Sequence, residues 1–419
     1  VSRDRAAEVV ATVAGRLADP AAVAATAEGS VDRYPDGRTA PAWQPESLAE
    51  GHAGIALLHA ELNDRRATHA QLAAANRSGG PSGGHLLYAG RLPGLLFAAS
   101  AAARNAGDYA RLRDQTAPVV AAAVRHTATV ELDRVAGGHG GTTFAAYDLL
   151  KGLSGAIRLL LACGSEPAVV DHAARALVAI ASPMANVPDL PGWYVGHSWD
   201  DPDDKHGGHL NLGMAHGAPG ILAALAIAYR QGVRVPGLPE AIERIVTWLL
   251  AQSVDLTWPR VIAVDGRVLV PSGRPGWCYG VPGLARALQL AGLALDVPAW
   301  RALAVRALAA TLDQPWDGFG LTNAGLCHGW GGLLQITLRM TWDSGDERLA
   351  DAAGKLAARV VERFDSGSPF GFRYRSGGEV LAPDRPGFLW GAAGVALAVQ
   401  AHLAGRPPDT GWDAALLLA

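Results

Sequence analysis

Two of the three cysteines in this chain of 419 residues stand in one local setting. Cys278 lies two residues before Gly280 and Cys327 two before Gly329, and each of those glycines opens a G-x-x-G string. His328, His216 and Tyr279 each stand one residue before such a string. Arg274 is four before Cys278, and Asp148 is four before Gly152, which opens another. Thiolate and imidazole are soft-to-borderline donors that suit Zn2+. Two cysteines and a histidine at one place leave a fourth position open, which is the catalytic rather than the structural arrangement. Linear spacing alone does not carry this. Cys278 and Cys327 are 49 residues apart with no C-x-x-C, and each by itself reads as a buried small residue.

The repeat joins these residues into one argument. G-x-x-G followed by an aliphatic run occurs at Gly51, Gly152, Gly217, Gly280, Gly329 and Gly391. A further copy, second in chain order, keeps Gly94 but has Arg91 where the first glycine belongs. The second glycines fall at 54, 94, 155, 220, 283, 332 and 394, at intervals of 40 to 65 residues. Each copy predicts a helix that is apolar all round and therefore buried all round. Between copies, Arg3–Leu17, Asp64–Ala75, Tyr109–Thr127, Ala168–Ala181, Leu238–Gln252, Ala299–Leu312 and Glu347–Phe364 read as amphipathic helices. Seven buried helices alternating with seven half-exposed ones predict an all-α fold, a double α/α toroid with the buried set inside. Closure removes the need for capping repeats; an open α-solenoid is the other arrangement of the same pattern. The inner helices would all present their positive N-terminal dipoles at one mouth, where the residues before each G-x-x-G collect. Asp265-Gly266 and Gly377-Gly378 mark short β-hairpins, and Trp193–Gly208 reads as a polar loop; all three precede a glycine copy. No linker-like run divides the chain, so a single domain over 1–419 is expected.

Composition narrows the function. Lys and Arg number 36 against 39 Asp and Glu, a net charge of −3. Nothing in that balance suits tracking nucleic-acid phosphates. Apolar residues make up 49% and charged ones 18%, ample for a large core. An odd count of three cysteines does not make a disulfide framework and points to a reducing compartment. The opening VSRDRAAEVV carries no apolar signal core, so a cytoplasmic location is expected. The uncharged stretches Gly207–Tyr229 and Gly387–Gly405 both belong to the glycine repeat and read as core rather than as membrane spans.

The strings GWCYG (276–280), LCHG (326–329) and LGMAHGAPG (212–220) resemble the lanthionine synthetase C-like family, which includes the lanthipeptide cyclases. The resemblance runs through all seven glycine copies. It implies a double α-toroid of seven inner and seven outer helices, and a zinc ion held by Cys278, Cys327 and His328. It further implies His216 as acid/base, Asp148 as the active-site aspartate, and Arg274 and Tyr279 as catalytic residues near the metal. The implied reaction adds a peptide cysteine thiolate to the β-carbon of dehydroalanine or dehydrobutyrine, giving a lanthionine or methyllanthionine thioether. The resulting enolate needs a proton at Cα, and histidine titrates in the right range to give one. In this reading Asp148 orients His216 and Arg274 stabilises the enolate oxygen. The substrate is a dehydrated precursor peptide; dehydration is expected elsewhere, on a separate dehydratase if the chain is a stand-alone cyclase or on another domain if it is part of a larger synthetase. Some members carry an inserted small β domain; the 40 residues between the first two copies leave no room for it there.

Other readings use the same residues. A non-cyclising relative would bind glutathione or another small thiol at the same zinc. Protein prenyltransferases also use a zinc thiolate in an α-toroid but need a basic diphosphate patch, and few Lys or Arg lie near the ligand strings. Carbohydrate-active toroids want paired carboxylates, whereas Asp200, Asp201, Asp203 and Asp204 read as a loop. Cys163 reads as core, and His197, His206 and His209 read as a solvated His-rich loop. His139 in GGHGG reads likewise as loop. Trp277 and Trp330 flank the ligand strings and either wall a groove or pack helices.

Overall fold

The computed structural model describes residues 2–33, 37–79, 87–88, 90–184, 187–201, 203, 207–375 and 383–419. The described residues form sixteen α-helices: α1 (Arg3–Leu17), α2 (Pro20–Ala27), α3 (His52–Glu61), α4 (Arg65–Arg77), α5 (Arg91–Ala102), α6 (Ala110–Ala136), α7 (Phe144–Tyr147), α8 (Leu153–Cys163), α9 (Pro167–Ile180), α10 (Ala218–Arg230), α11 (Leu238–Ala251), α12 (Val281–Ala294), α13 (Pro298–Leu312), α14 (Trp330–Ser344), α15 (Glu347–Val361) and α16 (Ala392–Ala404). Each glycine copy opens a helix: α3, α5, α8, α10, α12, α14 and α16. The amphipathic segments between them are α1, α4, α6, α9, α11, α13 and α15.

The two classes differ in what they bury. In α10 every residue from Ala218 to Ala228 is buried. Its Ile221, Leu222, Leu225 and Ile227 are at most 2% exposed, each contributing roughly 1.5–3 kcal/mol as an upper estimate. In α15 only one stripe is buried, Leu349, Ala353, Leu356, Ala357, Val360 and Val361, at the three-to-four spacing of one helix face. The Asp346 side chain caps that helix by accepting from the Arg348 and Leu349 amides.

The chain divides into two compact units. The first holds Val1–Gly83, Tyr88–Asp114 and Pro315–Trp412; the second holds Gly84–Leu87, Gln115–Gln314 and Asp413–Ala419. In the first, α14, α16, α3 and α5 pack side by side in that order, with α15 against α14, α1 against α16 and α4 against α3. In the second, α8, α10 and α12 pack in succession, backed by α9, α11 and α13.

The glycine pattern has a steric cause. Before six of these helices, all but α5, the segment folds back so that the carbonyl six residues before the second glycine lies against that glycine's Cα. A Cβ on Gly220 would lie 2.5 Å from the Met214 oxygen, and one on Gly283 2.3 Å from the Trp277 oxygen. On Gly332 it would lie 1.8 Å from the Leu326 oxygen, and on Gly394 1.8 Å from the Phe388 oxygen. No side chain fits there, so glycine is required for close approach of backbone to backbone. The folded-back loops then bond to one another through main chain. In the second unit the Leu149 amide donates to the Ala215 carbonyl (3.1 Å), and the Ala215 amide to the Cys278 carbonyl (3.4 Å). In the first, the Cys327 amide donates to the Leu389 carbonyl (2.9 Å), and the Leu389 amide to the Ala49 carbonyl (2.9 Å). Ala215, Cys278, Cys327, Leu389 and Ala49 all stand five residues before their second glycine. Within each unit, then, equivalent sequence positions occupy equivalent places.

Several details differ from the sequence expectations. In the imperfect copy Gly90, one position early, takes the N-cap of α5. Helix α6 runs on to Ala136 because its buried stripe, Ala117, Val120, Ala121 and Val124, continues through Ala128 and Glu131. Glu131 is tolerated there because Arg134 (2.9 Å) and the Thr142 hydroxyl (3.0 Å) bond its carboxylate. The hairpin at Asp265-Gly266 forms from Val261–Ala263 and Val268–Val270, and His209–Asn211 adds a third antiparallel strand. His209 is therefore a buried strand residue, not a solvated one, and its Nδ1 bonds the His197 carbonyl at 2.9 Å. His206 and the Gly377-Gly378 turn lie outside the described residues. Cys163, at the end of α8, is half-exposed rather than core. Trp277 and Trp330 are both packing residues, at most 1% exposed, with indole N–H groups donating to the Leu416 and Leu321 carbonyls. Among the described residues no single helix is long and apolar enough to cross a membrane; the two uncharged stretches contain α10 and α16.

Candidate functional site

In the second unit the loops before α8, α10 and α12 bring Asp148, His216, Cys278 and Tyr279 into one neighbourhood. The Asp148 side chain is fully buried and the His216 ring is 28% exposed, and Oδ2 of the one is 2.7 Å from Nδ1 of the other. The other Asp148 oxygen accepts from the Lys151 amide at 2.6 Å, which fixes the carboxyl at the helix start. A carboxylate only accepts, so the shared proton sits on Nδ1 and Nε2 is the nitrogen left for proton exchange. The His216 and Tyr279 rings are 6.2 Å apart. Gly213 lies against the Cys278–Tyr279 backbone so closely that a Cβ would meet the Cys278 oxygen at 2.5 Å and the Tyr279 ring at 2.7 Å.

Burial pushes the Tyr279 phenol up to about 12, so it is a neutral hydroxyl at physiological pH. Its oxygen accepts from the Asn211 side-chain amide at 2.7 Å, leaving its own proton to donate elsewhere. Phe144 and Trp199 add aromatic surface, with ring centres 5.6 Å from His216 and 6.5 Å from Tyr279 respectively. Arg274 is half-buried at the turn before Cys278, where the Gly276 amide bonds both the Arg274 and the Tyr279 carbonyls.

In the first unit Cys327 is buried and His328 half-buried at the start of α14. The Tyr374 hydroxyl is 3.5 Å from His328 Nε2. Arg385 lies over the Tyr374 ring, 4.3 Å from its centre, and bonds both oxygens of Asp32. Glu50 is a third partner, 3.3 Å from the Arg385 guanidinium. Burial pushes the Tyr374 phenol well up from its ordinary value, against the pull of Arg385. Tyr88 is buried, and its phenol is likewise pushed up.

The ligands expected from the sequence are divided between the units, Cys278 in the second and Cys327 with His328 in the first. The donor chemistry fits Zn2+: two sulfurs and an imidazole nitrogen, three ligands and an open fourth position. It does not fit Mg2+ or Ca2+, which take oxygen donors.

Several residues of these surroundings escape a motif-led reading of the sequence. Asn211 and Asn323 carried a signal: both sit in Asn-x-Gly-x-x-His-Gly, at 211–217 and 323–329. In both, the asparagine Oδ1 accepts from the amide of the glycine two residues on, at 2.9 and 3.0 Å. Glu50 also carried one, standing one residue before Gly51 as His216 and His328 stand before their glycines; Tyr374 and Arg385 carried none.

Comparison with known proteins agrees in direction. Residues 42–417 match the family model described as Lanthionine synthetase C-like protein. Over 205 residues the chain is 26% identical to Nisin biosynthesis protein NisC of Lactococcus lactis subsp. lactis, an alignment covering 45% of this chain and 48% of that one. The chain thus aligns with about half the length of that curated relative. The solved structure of Nisin cyclase superposes with a TM-score of 0.72 at 21% identity, covering 89% of this chain and 92% of the other. That likeness concerns the fold, and it agrees with the all-α toroid expected from the glycine repeat.

Proposed function

The chain belongs to the lanthionine synthetase C-like family, and on that premise we propose that it is a zinc-dependent lanthipeptide cyclase. Its substrate is a dehydrated precursor peptide. Cys278, Cys327 and His328 hold the metal, and residues 1–419 act as one catalytic domain. The odd cysteine count supports a reducing compartment, and we place the chain in the cytoplasm.

The observation that carries this reading is the grouping of a thiol, a carboxylate–imidazole pair and a phenol in one unit. When bound, zinc supplies a centre that lowers the pKa of a peptide thiol and holds it as thiolate. The chain's own residues manage the proton and the charge. As the sulfur–carbon bond forms at the β-carbon, the alkene electron pair moves onto the neighbouring carbonyl as an enolate. Arg274 and the Tyr279 hydroxyl stabilise that negative charge. His216 takes on Nε2 the proton that the peptide thiol gives up and then delivers it to Cα, and Asp148 holds the ring in the tautomer and orientation for it. The aromatic rings of Phe144 and Trp199 border His216 and Tyr279 and limit the water there that would compete for the proton.

Cyclisation leaves mass unchanged, so the test counts thiols. Zinc-loaded protein is incubated with a dehydrated, cysteine-containing peptide, and the remaining thiols are alkylated and weighed. Loss of alkylatable thiol with wild type, and not with Cys278→Ala, supports the cyclase. Alkylation equal to the enzyme-free control, in protein shown to hold zinc, refutes it. Addition of glutathione to the peptide without ring closure indicates the thiol-binding relative instead.

A further inference from the structure

His328 is the single imidazole in the proposed ligand set, and an imidazole binds metal through only one nitrogen. Which one depends on what the other nitrogen does. At His328 the neighbour of Nε2 is the Tyr374 hydroxyl, 3.5 Å away. That distance is at the long end for a hydrogen bond, so the fixity of Tyr374 decides whether the contact matters.

Tyr374 is fixed from every side. Its backbone amide donates to Asp384 at 3.2 Å. The next carbonyl, that of Arg375, accepts from the Thr322 hydroxyl at 3.0 Å and the Asn323 amide at 3.2 Å. Those two bonds tie the tyrosine's own segment to the loop that carries Cys327 and His328. Its ring is 8% exposed and lies under the Arg385 guanidinium. Arg385 is 6% exposed and is held in turn by Asp32 and by the Trp390 ring, whose centre is 5.6 Å away, with the Glu50 carboxyl 3.3 Å off. An arginine spread over this many partners is a clamp, because its planar fork loses little freedom for each contact made. None of these residues supplies a metal ligand.

We propose that Tyr374, clamped by Arg385, is the positioning residue that sets the His328 imidazole for metal binding. The Nε2–H donates to the phenol oxygen, which leaves the Nδ1 lone pair as the donor atom. Metal-binding histidines usually give their second N–H to a carboxylate, a carbonyl or water; here a clamped phenol takes that place. This proposal rests on the zinc reading above.

The test is zinc affinity, measured by competition with a chromophoric chelator on the intact apo-protein. Wild type is compared with Tyr374→Phe, Arg385→Lys and, as a ligand control, Cys327→Ala. Tyr374→Phe keeps the ring and removes only the hydroxyl, so the apo-protein unfolds at the wild-type denaturant midpoint. Its zinc affinity falls about tenfold or more, the usual cost of losing an outer-shell partner. Arg385→Lys moves affinity in the same direction, since it keeps the charge but not the flat cover on the ring. Zinc binding by Tyr374→Phe within about twofold of wild type overturns the proposal. A wild type that binds no zinc, or a Cys327→Ala that binds it equally, overturns the zinc reading and this proposal with it. Only the first result overturns the proposal alone.

Discussion

Glu50→Gln separates a buried neutral acid from a buried ion pair. Glu50 is 2% exposed and stands 3.3 Å from Arg385, a distance that by itself suggests a charged pair. Yet neither carboxyl oxygen makes a hydrogen bond, and Arg385 is already bonded to both oxygens of Asp32. One cation shared by two carboxyls does not offset the desolvation of both. Burial accordingly pushes Glu50 from 4.5 up to about 8. The folded chain therefore keeps a proton that the unfolded chain loses near pH 4.5. The stabilisation is complete below that pH and is lost as pH rises through about 8. At about 1.4 kcal/mol for each pH unit between 4.5 and about 8, the loss reaches about 5 kcal/mol as an upper bound. Glutamine has the shape of the protonated acid and cannot ionise, so the variant lacks this slope. Urea midpoints measured from about pH 5 to about pH 9 should coincide at the acid end and separate progressively, the variant being the more stable. Parallel curves across the range would refute the reasoning. So would a variant weaker by about 3–5 kcal/mol at pH 7, the cost of breaking a true buried pair.

Gly332→Ala forces a Cβ to within 1.8 Å of the Leu326 carbonyl oxygen, so the Cys327–His328 loop must lift from α14. Denaturation should show a loss of about 1–3 kcal/mol, with weakened zinc binding, whereas Gly354→Ala, in the exposed interior of α15 where a Cβ has open space, should gain about 0.5–1 kcal/mol and leave zinc binding unchanged. Asp148→Asn keeps the shape of the His216 contact but removes the acceptor that fixes the tautomer. Ring closure should slow by about 10²–10⁴, as for loss of a general acid, in Asp148→Asn and His216→Ala alike. Zinc content should be unchanged in both, because neither residue is a ligand; metal loss would move them out of the proton-transfer role.

Helix placement was legible because two periods are written in the chain. The glycine pairs mark the N-terminus of each buried helix through a contact that no side chain permits. The amphipathic stripes mark the others through burial on one face. The length of α6 was not legible, because Glu131 looks like the end of a stripe until Arg134 and Thr142 are seen beside it. The same holds for His209, whose polarity suggested solvent while its neighbours on the sheet enclosed it. At the site, Asp148, His216, Cys278 and Tyr279 were readable because each sits a fixed distance from a glycine. Glu50 shares that register before Gly51, but its pairing with Tyr374 and Arg385 was not readable. Their association depends on tertiary packing between stretches of chain hundreds of residues apart, and no local spacing encodes it.

The main-chain ladder between loops has a consequence for how such a scaffold changes over time. Each loop is held by amides and carbonyls, and by glycines behind it, not by the side chain it displays. The position five before the second glycine holds cysteine in two copies, but alanine at 49 and 215 and leucine at 389. The position after it holds histidine twice, tyrosine at 279 and tryptophan at 390. The loops therefore behave as interchangeable sockets around a common frame. A thiol or an imidazole can be gained in one copy and lost from another without refolding the chain. Chemistry on this frame can evolve by single substitutions at a handful of predictable addresses.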